Sequence, residues 1–192
     1  PQIRLTPDND RLRELGEAFA APVTLMSKTR DGSLRAEAEK AGVPVLLYEA
    51  GEGLRFDEFG ARAGVAGILR VMEMLGMIAA RGVPKARGPS VFCEGSRWAR
   101  APSGGLLRTI KGTGDFVEEE EVMGLISDPF GEAETEVRAD EAGVIVGRTK
   151  LPVVNEGDAL FHVAQPARDD AGAHHVAAHR KAEPLFDEDE II

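Results

Sequence analysis

One glutamate stands where a carboxylate could act as a general acid and base. Glu49 directly follows the continuous apolar segment Val43–Tyr48 (VPVLLY) and precedes a small-residue turn that begins at Ala50. A short apolar run of this kind is typical of a buried strand, and in open α/β sheets ligands bind at the carboxyl ends of strands. A carboxylate partly withdrawn from water there could take up and release a proton. The alternative is a glutamate that faces solvent or caps the next element.

Two arginines could hold the carboxylate of a substrate, because a guanidinium binds a carboxylate through two parallel hydrogen bonds. The candidates are Arg35, in the segment Asp31–Arg35 (DGSLR) before a helix, and Arg4 near the start of the chain. For each, the alternative is a surface arginine or a structural ion pair. Tyr48 precedes Glu49, so strand alternation points it to the other face, where we expect core packing.

The histidines and the cysteine do not predict a metal site within this chain. His162 falls in the last predicted strand, and His174 is followed by His175 and His179, which have the spacing of a helical metal pair. No Glu follows His175 as a helical metalloprotease motif requires. Cys93 has no His or second Cys near it in sequence, so we do not expect a reactive thiol. One cysteine excludes an intrachain disulfide and fits a reducing, cytoplasmic compartment.

The first 81 residues predict part of an α/β sheet with covering helices, because helical and strand patterns follow each other in the order α-β-α-β-α. Helices are predicted over Asp8–Ala20, capped by Asp8 or Asp10, and from Ser33 to about Lys40, capped by Ser33. A third helix is predicted over Phe59–Ala80. Its buried side is predicted to consist of Val65, Ile68, Leu69, Met72, Leu75 and Met77. The predicted strands are Val23–Leu25 and Val43–Tyr48.

A change of pattern divides the rest of the chain. Gly82–Pro89 (GVPKARGP) predicts a linker, which we place at residues 82–90. Residues 91–164 have short apolar runs between turn residues and predict a small all-β unit. Residues 165–192 are polar with an acidic cluster near the end, and we expect a mobile acidic tail.

The predicted β unit contains an internal repeat. Residues 101–107 (APSGGLL) match residues 139–145 (ADEAGVI), and residues 117–126 match residues 154–163. Two such copies can close on each other with pseudo-two-fold symmetry, as in the barrel-sandwich module of lipoyl and biotinyl domains. Gly157 in the second copy stands where a turn favours positive φ. The first copy has Glu120 there, and we expect this difference to reduce the stability of the turn.

Composition narrows the classes of function. With 43% hydrophobic residues the chain can bury a core, and the net charge of −10 argues against binding nucleic acid or an anionic membrane. No apolar run approaches the roughly 20 residues that span a bilayer. The chain opens at Pro1 without an initiator Met, so we expect a fragment.

Three segments together resemble the succinylglutamate desuccinylase/aspartoacylase family, which are zinc carboxypeptidase-like deacylases. Residues 42–52 (GVPVLLYEAGE) look like the catalytic-glutamate segment of that family, residues 1–5 (PQIRL) look like the stretch after its third zinc ligand, and residues 101–163 look like its C-terminal β domain. The resemblance implies a partial zinc-carboxypeptidase-like sheet followed by a lipoyl-like β domain. It also implies that Glu49 activates a zinc-bound water, and that the zinc ligands lie upstream of this chain.

We therefore expect the C-terminal part of a zinc-dependent hydrolase that cleaves the amide bond of a small N-acyl amino acid. This chain alone is expected to be inactive. Because an incomplete sheet leaves an exposed edge, we also expect the chain to be poorly soluble or to associate with itself, for example as a homo-oligomer. One alternative is a non-enzymatic module that binds carbohydrate or protein, and another is a complete but degenerate paralogue. A lipoyl or biotinyl carrier is disfavoured because the turn Ser127–Gly131 has no lysine.

Overall fold

The computed structural model describes residues 1–167, which form three helices and 11 strands. The helices are α1 (Asp10–Phe19), α2 (Leu34–Lys40) and α3 (Glu58–Met74). The strands are β1 (Gln2–Leu5), β2 (Val23–Met26), β3 (Leu47–Glu49), β4 (Val91–Arg100), β5 (Gly105–Thr109), β6 (Phe116–Val117), β7 (Val122–Ser127), β8 (Glu134–Arg138), β9 (Gly143–Arg148), β10 (Val153–Val154) and β11 (Ala159–Pro166). No helix in this part of the chain is long and apolar enough to cross a membrane.

Two sheets organise the chain. A seven-stranded mixed sheet has the order β3-β1-β2-β4-β11-β9-β6, and a four-stranded sheet has the order β10-β5-β7-β8. Strands β1, β2 and β4 are parallel, whereas β3 and β11 run antiparallel to their neighbours. The α/β class is therefore confirmed. β1 was not predicted as a strand, because four residues at the chain start are too few to show a pattern.

Helix α1 covers one face of β1. Ile3 and Leu5 are fully buried there, beside Leu12, Leu15 and Phe19 of α1. The prediction of Asp8 or Asp10 as the helix cap was wrong, since the Oδ1 of Asn9 accepts the hydrogen bond from the backbone N–H of Leu12. Asn9 has the extended backbone that a cap requires, whereas Asp8 has a φ of 59°. The Ser33 cap of α2 is confirmed.

Strand β3 is shorter than the apolar run predicted. Only residues 47–49 pair with β1, and Val43 is 54% exposed. Pro44 has no N–H to donate to a ladder, and β1 is itself only four residues long. The strand prediction was therefore correct for Leu47 and Tyr48 and wrong from Val43 to Leu46, and the strand continues through Glu49.

The predicted buried side of α3 was wrong. Val65 and Ile68 are 58% and 55% exposed, and the residues that α3 buries are Gly60, Gly64 and Gly67. The glycines bring the helix backbone against the rings of Tyr48 and Phe19, which a larger side chain would hold apart. The helix also ends earlier than predicted, at Met74, because Gly76 adopts a φ of 71°.

Within residues 91–167 the structure has strands and no helix, as predicted. Its core lies between the two sheets and includes Met123, Ile145 and Phe161, all fully buried. β4 joins the halves, since Val91–Cys93 pairs with β2 and Ser96–Arg100 pairs with β11. β11 continues to Pro166, and the rest of the predicted tail lies outside the described residues.

The two copies of the repeat close each other's turns. In the first copy, the backbone N–H of Glu120 donates to the carbonyl of Ala139, and Arg138 donates to the carbonyl of Glu120. In the second copy, the N–H of Gly157 donates to the carbonyl of Ala101, and Arg100 donates to the carbonyl of Gly157. Because each copy supplies the partners of the other, the repeat forms one pseudo-symmetric unit.

Candidate functional site

A row of polar side chains runs along the face of β1 that α1 does not cover. Alternation places Gln2 and Arg4 on this face, and the chain continues with Thr6 just past the end of the strand. Glu49 lies directly opposite Gln2 in the antiparallel register of β3 and β1. The neighbouring residues on β2 are apolar and buried, so a polar row here is not explained by core packing.

The Glu49 carboxylate is held through one oxygen. Arg4 Nη2 lies 2.8 Å from Glu49 Oε2, and Gln2 Nε2 donates to the same oxygen at 3.1 Å. The Glu49 side chain keeps 41% exposure, whereas that of Arg4 keeps 23%. The arrangement fixes Oε2 and leaves Oε1 outside these two contacts. The glutamate therefore lies at the end of its strand, with a fixed orientation and access to solvent.

Arg35 lies at the other end of the row. Its Nη2 donates to the Ser27 carbonyl at 2.7 Å and to Thr6 Oγ1 at 3.2 Å, and its Nη1 donates to Ser27 Oγ at 3.2 Å. Burial lowers the pKa of Arg35, and the charge of Arg4 acts in the same direction, while Glu49 opposes it. Thr6 is four residues along the chain from Gln2, which corresponds to about 13 Å. The structure thus brings Arg4 and Glu49 into direct contact, whereas Arg35 hydrogen-bonds to Ser27 and Thr6 and is influenced by the charges of Arg4 and Glu49.

A pocket of about 240 Å³ lies beside Arg35 rather than beside Glu49. Its walls include Thr6, Leu12 and Glu39, together with residues 43–45 of the segment that precedes β3. Glu49 does not line this pocket.

Three buried polar atoms in the row have no hydrogen-bond partner. Across residues 1–167, the buried side-chain nitrogen and oxygen atoms without a partner are Gln2 Oε1, Arg4 Nε and Arg35 Nε. Native interiors leave few such atoms, and those that occur call for an explanation. Gln2 and Arg4 lie on β1, and Arg35 of α2 hydrogen-bonds to Thr6 just past that strand, so the three atoms lie in one region of the fold.

The β half of the chain reaches the loop that follows Glu49. Lys150, two residues past β9, lies 2.8 Å from Glu52, which also pairs with Arg55 at 2.7 Å. The hydrogen bond from Lys150 is the main reason why the pKa of Glu52 is lowered. Four strands separate β3 from β9 in the sheet order, about 24 Å if the sheet were flat. The ion pair therefore connects two distant parts of the sheet close to Glu49.

An aromatic stack lies further along the same sheet. The rings of Trp98 and His162 are 4.6 Å apart and nearly parallel, with His162 5% exposed and Trp98 42% exposed. Burial, with a smaller contribution from the charge of Arg4, lowers the pKa of His162 to about 4. His162 is therefore a neutral side chain at physiological pH.

Tyr48 packs against the helices, as predicted. Its ring centroid lies 5.3 Å from that of Phe19, and its hydroxyl donates to the carbonyl of Gly60 at 2.6 Å. Burial raises the pKa of this hydroxyl. Tyr48 thus anchors β3 to α3 and holds the strand that ends in Glu49.

The part of the chain that the structure describes does not supply a metal site. No group of three or more His, Cys, Asp or Glu side chains converges within residues 1–167. His162 lies in the stack just described, and Cys93 is buried in the core. His174, His175 and His179 lie outside the described residues.

Sequence reasoning missed three residues of this region. Gln2 could have been found, because strand alternation in residues 2–5 puts it on the same face as Arg4. Glu52 and Lys150 could not, since nothing in their sequence positions indicates that they meet.

No protein-family model and no curated protein matches the sequence. Solved structures do match the fold. A succinylglutamate desuccinylase/aspartoacylase from Rhodobacter sphaeroides has a TM-score of 0.74 at 22% identity, covering 86% of this chain and 53% of that one. The ectoine utilization protein EutE (DoeB) from Ruegeria pomeroyi has a TM-score of 0.73 at 17% identity, covering 85% and 54%. An aspartoacylase family protein from Mesorhizobium loti has a TM-score of 0.67 at 22% identity, covering 87% and 52%.

The similarity extends over most of this chain but over only part of each match. The chain spans about half the length of these solved proteins and shares their fold across that half.

Proposed function

We propose that this chain supplies the catalytic glutamate of a hydrolase that cleaves the amide bond of an N-acyl amino acid. The observation that supports this most is the placement of Glu49, which ends β3 with one carboxylate oxygen fixed by Arg4 and Gln2. The fold is shared with solved members of the succinylglutamate desuccinylase/aspartoacylase family, and the sequence around Glu49 resembles the catalytic segment of that family.

Glu49 has the chemistry for proton transfer in both directions. In the proposed reaction, the oxygen not held by Arg4 and Gln2 accepts a proton from the attacking water and then delivers it to the departing amine. A carboxylate in this role contributes about 10²- to 10⁴-fold to the rate. We assign to Arg4, which lies beside Glu49, the binding of the carboxylate of the substrate or of the acid product. Arg35 is proposed as a second, more distant contact for a longer substrate.

Zinc dependence belongs to the proposal and rests on the family resemblance. The described residues do not fit a zinc site, because they contain no converging set of ligands. The metal would have to be bound by residues from another part of the polypeptide. The steps assigned above to Glu49 and Arg4 involve only side chains of this chain, and without the other part we expect no activity.

The β half is proposed to be a lipoyl-like barrel-sandwich module that narrows access to Glu49. The ion pair between Lys150 and Glu52 supports this role, because it lies three residues from Glu49. For the substrate we favour a small N-acetylated amino acid over a succinylated one, and we propose a cytoplasmic location. Both choices come from the sequence and from the resemblance.

The test is hydrolysis of N-acetyl and N-succinyl amino acids by the natural full-length polypeptide that carries this chain. Glu49→Gln should lower kcat by about 10²- to 10⁴-fold with the fold preserved. Glu37→Gln is the matched control, since Glu37 is an exposed glutamate on α2 that is paired with Lys40, and it should keep full activity. Wild-type activity of Glu49→Gln, or absence of hydrolysis with all these substrates, would refute the proposal.

A further inference from the structure

Gln2 is a polar residue in a buried position on β1. It is 6% exposed, and its register partner on β2 is Val23, which is 3% exposed. Burying a side-chain amide costs free energy unless its hydrogen bonds are replaced. An apolar side chain would suit this face of β1 better, so the stability of the sheet does not explain a glutamine here.

Among residues 1–167, the only side-chain hydrogen bond of Gln2 is the one to the catalytic candidate Glu49. Nε2 donates to Glu49 Oε2 at 3.1 Å, and Gln2 Oε1 is buried without a partner. Rotating the amide by 180° would place Oε1 against the negatively charged carboxylate. The amide therefore keeps the orientation in which it donates to Glu49, even though its own oxygen gains no bond.

Two donors reach the same oxygen of Glu49. Arg4 approaches Oε2 at 2.8 Å and Gln2 at 3.1 Å, from neighbouring positions on the same face of β1. A single donor would allow the carboxylate to rotate about its terminal bond, whereas two donors on one oxygen define its plane. The position of Oε1 is then set by residues of β1.

We propose that Gln2 is a positioning residue that orients the Glu49 carboxylate for proton transfer. This inference rests on the proposed function, in which Glu49 is the general base and acid. Gln2 does not itself touch the reacting atoms. It acts by holding Oε2, so that the orientation of Oε1 toward the attacking water and the leaving amine stays the same.

Replacing Gln2 distinguishes a positioning role from a structural role. A positioning role predicts a loss of activity with unchanged stability, whereas a structural role predicts a loss of stability. Gln2→Met keeps the length of the side chain and removes both the donor and the unpartnered oxygen. If Gln2 positions Glu49, kcat in the full-length enzyme falls by about 10- to 100-fold with KM nearly unchanged, since a hydrogen bond to a charged group is lost. The urea midpoint should stay the same or rise.

Gln165→Met is the matched control. Gln165 is a half-buried glutamine on β11 whose Nε2 donates to the carbonyl of Val163, away from Glu49, and its replacement should leave kcat unchanged. Unchanged kcat in Gln2→Met would overturn the proposal. The proposal would also be overturned if Gln2→Met lost activity only in proportion to a loss of folded protein.

A second measurement tests the contact itself without any activity. In the ¹⁵N-labelled 192-residue chain, the side-chain amide signals of Gln2 should shift in Glu49→Gln, while those of Gln165 stay in place. Unchanged chemical shifts of the Gln2 side-chain amide in Glu49→Gln would contradict the positioning role. If instead the contact is observed but Glu49→Gln in the full-length enzyme remains fully active, the proposed function fails for a reason separate from Gln2.

Discussion

Glu120 and Gly157 occupy equivalent turns in the two copies of the repeat, and both have positive φ, at 63° and 85°. The left-handed region is unfavourable for a residue with a side chain by about 1–2 kcal/mol and nearly free for glycine. The hydrogen bonds that close the Glu120 turn use its backbone, so glycine would keep them.

Glu120→Gly should therefore stabilise the chain by about 1 kcal/mol. Urea denaturation measures the change as an increase in the midpoint. The reciprocal variant, Gly157→Glu, should lower the midpoint by a similar amount. A lower midpoint for Glu120→Gly would show that its side chain stabilises the turn by more than its conformation costs.

Arg4→Met should affect substrate binding far more than stability. The ion pair between Arg4 and Glu49 is partly exposed, and such pairs contribute about 0–1 kcal/mol. In the full-length enzyme, loss of a charged hydrogen bond to a substrate carboxylate should raise KM by about 10- to 100-fold. Steady-state kinetics measures KM, and Arg11→Met, at an exposed position on α1, is the control. An unchanged KM would argue that Arg4 only holds Glu49.

His162 should make the stability of the chain depend on pH between about 4 and 6.5. Its folded pKa of about 4 is below the usual value, so over this range the unfolded chain binds more protons than the folded chain. Stability then falls as the pH falls, by up to about 1.4 kcal/mol per pH unit. Urea midpoints at pH 7 and pH 5 measure the loss. His162→Phe should show a smaller loss, and equal losses would contradict the prediction.

Alanine at the inner face of α3 should destabilise the chain. A Cβ at position 64 would lie 2.9 Å from Tyr48 Cε1, and one at position 67 would meet the Phe19 ring more closely still. We expect each variant to cost about 1–3 kcal/mol in urea denaturation, reduced by the better helix propensity of alanine. Gly53→Ala is the control, since nothing lies within 4 Å of a Cβ there. Equal effects of all three replacements would count against close packing.

The outer face of α3 should drive self-association of the isolated chain. Val65 and Ile68 on this face, and Met77 just past the end of the helix, are all more than half exposed, and β3 has one unpaired edge. Sedimentation velocity should detect oligomers in the wild type and fewer in Ile68→Lys. Leu34→Lys, at a position 82% exposed on α2, should leave the distribution unchanged. Monomers in the wild type at high concentration would disprove this.

Sequence patterns correctly predicted those structural features that depend on interactions between neighbouring residues. The Ser33 cap and the end of the strand next to Glu49 follow from neighbouring residues, and both were correct. The repeat was visible for the same reason, because each turn carries its own signature. The resemblance to a known family added the proposed role of Glu49, which spacing alone did not suggest.

Tertiary contacts decided the rest. Hydrophobic periodicity placed Val65 and Ile68 inside, but α3 packs through glycines because the rings of Phe19 and Tyr48 need room. The pairing of Lys150 with Glu52 depends on the order of seven strands, which no single segment encodes. The hydrogen bonds of Arg35 to Thr6 and Ser27, rather than to Glu49, are another property of the assembled fold.

Strand β4 has consequences for the order in which the chain can fold. One of its edges pairs with β2, which is made before it, and the other edge pairs with β11, which is made only after β5 to β10. A ribosome therefore releases β4 long before its second neighbour exists. Contacts of such large sequence separation fold slowly. We infer that one edge of β4 stays unpaired in the nascent chain until β11 has been made. This is the stage at which a chaperone would be needed most.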